Sequence, residues 1–178
     1  REHVAKNENT PSEVLHLLSN DENDEIVLSA YRSLVNDENN DAECLDYLAD
    51  IVLDKSSDGL EFGAEVRLLS LIIENKNTSK HTLKKITEMG INKFNFYSER
   101  QSDKDENWAT ALLIDMTKIA WESVLLDLAE NKKTPPESLM ILAKVNNKSV
   151  RDAARKTYLI KKKKNETLLI NYIKTLLI

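Results

Sequence analysis

The chain has 178 residues, 41% of them hydrophobic and 31% charged, with 25 basic and 30 acidic side chains and a net charge of −5. Three glycines, three prolines and a single cysteine exclude a collagen-like or low-complexity chain, an internal disulfide, a multi-cysteine metal site and a glycine-rich phosphate loop. The length suits one domain over 1–178, the scarcity of helix breakers predicts an all-α fold, and no apolar run is long enough to cross a membrane.

The chain opens at Arg1, and Val4-Ala5-Lys6-Asn7 reads as the end of a helix, so a piece of a longer repeat protein is expected. Thr10-Pro11-Ser12-Glu13 predicts a helix start with Thr10 as cap, followed by Leu15 and Leu18 on one face. A helix carrying Ile26, Ala30, Leu34 and Val35 follows the polar turn at Asn20–Asn23. Asn40 caps the next expected helix, with Cys44, Leu45, Leu48, Ile51 and Val52 at helical spacing. Cys44 is expected to pack as an ordinary thiol, and a lone cysteine favours a cytoplasmic setting. A helix from about Leu60 to Glu74 precedes a cap at Thr78 and the apolar pair Leu83 and Ile86, with Gly90 placed to end that helix.

Residues 91–107 break the rhythm and read as a long irregular insertion carrying Phe94, Phe96 and Tyr97. Helix resumes from Trp108 to about Glu130, with Leu112, Leu113, Met116, Ile119, Val124 and Leu128 among its apolar residues. Thr134-Pro135-Pro136-Glu137 is a second capping signature, beginning a helix to about Lys144 with Leu139 and Leu142 buried. Ser149 starts a helix to about Lys162, and Asn165 or Thr167 opens a last one ending in Leu176-Leu177-Ile178.

Displaced by 124 positions, residues 4–35 align on 128–159 without a gap. Ala5, Asn7, Thr10, Pro11, Glu13, Leu15, Leu18 and Ala30 coincide with Ala129, Asn131, Thr134, Pro135, Glu137, Leu139, Leu142 and Ala154. With Asn40 and Thr78 as further caps, the pattern predicts about four to five stacked pairs of short helices, each too small to bury its apolar face alone. The segments Val4–Leu18 and Leu128–Leu142 resemble the leucine-rich repeat variant, a relative of the HEAT and armadillo families, and Ser149–Arg155 is similar to the second half of HEAT units. The resemblance implies a right-handed α-solenoid and a binding surface more than chemistry. The iron–sulfur domain of some members is not carried over, because this chain has no cysteine cluster.

Signals of catalysis are weak. His3, His16 and His81 have no metal-ligand spacing, and no metal or other cofactor is expected. Asp37-x-Asn39-x-Asp41 and Asp103-x-Asp105-x-Asn107 lack the glycine and the glutamate of a calcium loop and read as solvated turns. The charge is uneven: residues 1–90 carry 9 basic and 19 acidic side chains, net −10, whereas 132–164 carry 11 basic and two acidic, net +9. A protein partner is therefore expected on a non-catalytic scaffold, either at the basic helix face of Lys148, Arg151, Arg155 and Lys162 or at the aromatics Phe94, Phe96 and Tyr97. Nucleic acid drawn to the basic region is the second reading, and an enzyme with carboxylates on a concave face is the third.

Overall fold

The computed structural model describes residues 1–37, 42–55, 62–99 and 108–176. Among the described residues all regular structure is helical: α1 (Glu2–Ala5), α2 (Ser12–Leu18), α3 (Asp24–Asn36), α4 (Ala42–Lys55), α5 (Phe62–Glu74), α6 (Lys80–Glu99), α7 (Trp108–Glu130), α8 (Pro136–Leu142) and α9 (Lys148–Leu176). The helix starts follow local chemistry. Asn23 caps α3, its side chain accepting from the N–H groups of Glu25 and Ile26, while Asp24 and Glu25 place negative charge at the positive end of the helix dipole. Asn147 does the same for α9, accepting from the Val150 N–H at 3.1 Å.

Helices of odd number touch in series, α1 with α3, α3 with α5, α5 with α7 and α7 with α9; among those of even number, α4 touches α6 and α6 touches α8. Neighbours in sequence join the two series, most extensively α6 with α7 and α8 with α9. One apolar cluster runs from Leu15 through Tyr31, Leu48, Ile72, Phe94 and Trp121 to Ala154, so every helix from α2 to α9 contributes to the same core. Ala5, Ile26 and Ala30 form a small satellite cluster with Leu18. Leu15, Leu45, Leu48, Leu83, Ile86, Leu139 and Leu142 are buried, as their spacing predicts, whereas Leu18 is half-buried.

Two expectations are corrected. First, α6 runs on through Gly90 to Glu99 and does not stop there, so residues 91–99 of the expected insertion are helical, while 100–107 lie outside the described residues. A Cβ at Gly90 would stand 3.0 Å from Leu125 Cδ2 and 3.7 Å from Trp121 Cε3; the glycine is there because α7 comes close. Tertiary packing thus overrides the poor helix propensity of glycine. Second, the expected break near residue 163 is absent and α9 is continuous, since neither Gly nor Pro interrupts its lysine-rich stretch. The first half of α7 turns Leu112, Leu113, Met116 and Ile119 outward, each more than half exposed, and buries Ile114 and Thr117.

The capping assignments also change. Thr10 and Thr134 accept no amide from the helix that follows; Pro11 and Pro135 occupy the cap positions, with no side-chain cap bond. Each threonine instead donates backward to the carbonyl six residues earlier, Thr10 to Val4 and Thr134 to Leu128, both at 2.6 Å. Thr78 makes the same bond to Ile72, and Ser79, one residue later, receives the Thr82 N–H at 3.0 Å. The bond does not require a following proline, since Ser79 follows Thr78; in each case the hydroxyl faces the helix just completed. There it satisfies one of the carbonyls that a helix end leaves without an internal partner. Asn40 lies outside the described residues.

The asparagine three residues before each threonine completes the junction. Asn7, Asn75 and Asn131 accept through Oδ1 from the N–H two residues on, at 2.9, 2.8 and 2.7 Å. The Nδ2 groups of Asn75 and Asn131 reach the preceding odd-numbered helix and donate to the carbonyls of Val35 and Ile73. Asp37, three residues before Asn40, has no N–H to offer in its side chain when ionised. The corresponding donor to α1 comes from Ser33, whose hydroxyl reaches the Ala5 carbonyl at 2.6 Å. Thr134→Val keeps the shape of a fully buried side chain and removes only its donor. It is expected to lower stability by about 1–2 kcal/mol, read as a lower urea midpoint at unchanged slope.

Candidate functional site

A groove of about 1090 Å³ is bounded by the start of α6, the turn after α7, the start of α8 and the middle of α9. Lys80, Lys132, Lys133, Lys156, Lys161 and Lys164 line it, with Glu130 as its one acidic member. The α9 side of the groove is amphipathic. Ala153, Ile160 and Leu168 recur there at intervals of seven and eight, which keeps them on one stripe over about 22 Å of helix. Ile160 is 55% and Leu168 57% exposed, so the stripe is open to an occupant.

Lys161 ties the groove to the repeat junction: its ammonium donates to the Thr134 carbonyl at 2.6 Å. Burial holds its pKa below the ordinary lysine range, the positive charge of Lys80 adds to the effect, and Glu137 opposes it. Cationic groups are therefore crowded enough for two lysines on different helices, α6 and α9, to sense each other.

The basic face read from the sequence lies elsewhere. Lys148, Arg155 and Lys162 are exposed, and Arg151 is half-buried with its guanidinium donating to the Val145 carbonyl at 3.3 Å. At about 100° per residue these four positions stand roughly half a turn around α9 from the groove stripe. The aromatic candidates separate as well. Phe94 is 2% exposed and belongs to the main core, whereas Phe96 is 55% exposed and packs edge-to-face on half-buried Tyr97, ring centres 5.1 Å apart. Tyr97 packs against the main core, so of the three only Phe96 is largely exposed.

Five of the six groove lysines fall within the basic stretch 132–164, whereas Lys80 lies 52 positions before Lys132 and is brought to them by packing alone. Lys156, Lys161 and Lys164, spaced by five and three around Ile160, give a signal within one helix.

Several carboxylates act as ties between helices distant in sequence. Asp46 receives the Ser79 hydroxyl at 3.0 Å, Asp127 receives that of Ser70 at 2.6 Å, and Asp50 pairs with Lys85. His16 on α2 and Cys44 on α4, both half-buried, place Nε2 and Sγ 4.0 Å apart. Among the described residues no three His, Cys, Asp or Glu side chains converge as a metal site, and no helix is long and apolar enough to cross a membrane. Of the two calcium-loop-like stretches, residues 39, 41, 103, 105 and 107 lie outside the described residues. No protein-family model, curated protein or solved structure matches the chain.

Proposed function

We propose that this chain is a right-handed α-solenoid of about four to five helix pairs that works as a non-catalytic module binding another protein. Two regularities support the solenoid reading: alternate helices touch in series, and an Asn-x-x-Thr junction recurs at Asn7, Asn75 and Asn131 with the same hydrogen bonds. Repeats of this kind expose long surfaces because each unit packs only on its neighbours. The resemblance of Val4–Leu18 and Leu128–Leu142 to the leucine-rich repeat variant points the same way.

The observation that carries the binding role is the groove itself, built by parts of four helices or turns from successive units and left open along an apolar stripe of α9. A photo-crosslinking phenylalanine derivative in place of Ile160, in the full chain and in native extract, tests it. The expected product is a discrete protein adduct that survives nuclease and disappears when Lys156 and Lys164 are changed to Glu. An adduct removed by nuclease would replace this reading with a nucleic-acid-binding one. Recovery of small molecules alone would favour an enzyme.

A further inference from the structure

Resting on the reading of the chain as a protein-binding module, we infer that the groove takes an acidic amphipathic helix of a different polypeptide, laid along α9 with its apolar face on Ile160 and Leu168 and its carboxylates among the lysines. Three observations converge on this occupant. The first is charge. Six lysines against one glutamate make a local field that attracts anions. The second is the stripe. An anionic polymer without apolar surface would leave Ile160 and Leu168 in water, whereas an amphipathic helix covers both and gains their burial. The stripe spans about 22 Å, the length of about four helical turns. The third is the kind of cation. The lining contains neither arginine nor an aromatic ring, the groups that provide forked phosphate contacts and base stacking in nucleic-acid grooves. Lysine suits a dispersed row of carboxylates that need no fixed fork geometry.

A second copy of this chain is the competing occupant: α3 and α4 turn their apolar faces inward, but α7 carries Leu112, Leu113, Met116 and Ile119 outward beside Asp115 and Glu122. Self-association seen by light scattering and abolished by Lys156→Glu with Lys164→Glu would overturn the inference in favour of that occupant.

The test uses the full chain and a synthetic helical peptide of about 16 residues, long enough for four turns, with leucine on one stripe and glutamate beside it. Fluorescence anisotropy would compare it with a scrambled peptide of the same composition, a lysine-for-glutamate version and a single-stranded oligonucleotide. The acidic amphipathic peptide is expected to bind at least about tenfold more tightly than the scrambled one, and the basic version not at all. Lys156→Glu with Lys164→Glu should weaken binding by more than about tenfold, and Ile160→Ser by roughly fivefold. Lys148→Glu with Arg155→Glu, on the opposite side of α9, should leave it unchanged. All of these side chains are exposed, so circular dichroism and the urea midpoint should stay at their parent values.

Equal binding of the scrambled peptide would overturn the inference, because the stripe would then play no part. So would stronger binding of the oligonucleotide, or insensitivity to the groove substitutions. If these peptide results fail while crosslinking at Ile160 still captures a nuclease-resistant protein, the module reading stands and only the acidic helix falls.

Discussion

Replacing Trp121 by alanine is expected to lower the unfolding free energy by about 3–5 kcal/mol, the range for removing a buried aromatic side chain from a core. Trp121 is 2% exposed and lies on α7 where that helix meets Gly90 of α6. The loss has two parts, the transfer free energy of the indole and the cavity left where α6 and α7 cannot collapse onto each other. Against a typical domain stability of about 5–15 kcal/mol this is a large share, and a fall in thermal midpoint of several degrees should accompany it.

The same site supplies an internal control. Gly90→Val in the parent chain should itself destabilise, because Leu125 Cδ2 stands only 3.0 Å from where the first added carbon must go. In the Trp121→Ala background the added methyls have room, so the two losses should sum to less than their separate values. A coupling of about 1 kcal/mol or more is expected between residues in contact. Strict additivity, measured by urea denaturation of the four proteins, would mean that Gly90 is not spaced by Trp121 and Leu125.

Asn131→Asp is expected to destabilise by about 2–3 kcal/mol at neutral pH although the side chain keeps its size. Oδ1 of Asn131 accepts from the Lys133 N–H, and Nδ2 donates to the Ile73 carbonyl on α5. The substitution preserves the acceptor and puts a second oxygen against the Ile73 carbonyl. Only the protonated carboxyl can donate there, so its folded-state pKa should rise above the ordinary aspartate value of about 3.9. A group whose folded pKa is raised contributes stability below its unfolded pKa and loses it as pH rises through the folded pKa. The deficit relative to the parent should therefore be full near pH 7 and shrink toward about pH 4. Equal deficits at both values would mean that the bridge to α5 adds nothing and that the local turn carries the whole effect. The analogous Asn75→Asp substitution, across to Val35, should behave alike, since the junction repeats.

Composition and periodicity determined the helical class, the approximate helix order and most of the core. Apolar residues at spacing three and four on helices this short have one way to leave water, and Leu45, Leu48, Leu83, Ile86, Leu139 and Leu142 all take it. The repeated Asn-x-x-Thr could be read as equivalent positions, because the same local chemistry recurs 124 residues apart. Its role could not. Thr10, Thr78 and Thr134 all close the helix just completed, although Thr78 is followed by Ser79 and not by proline, so the direction of the hydroxyl is not readable from the next residue. Gly90 reads locally as a helix stop, whereas in the fold it lies inside α6 where Trp121 and Leu125 of α7 leave little room for a side chain. The groove was settled last of all. Lys80 and Lys164 stand 84 positions apart, and their common field exists because α6, α8 and α9 meet in space. A pattern within one helix names the charges it carries, while the charges that face each other are chosen by packing between helices.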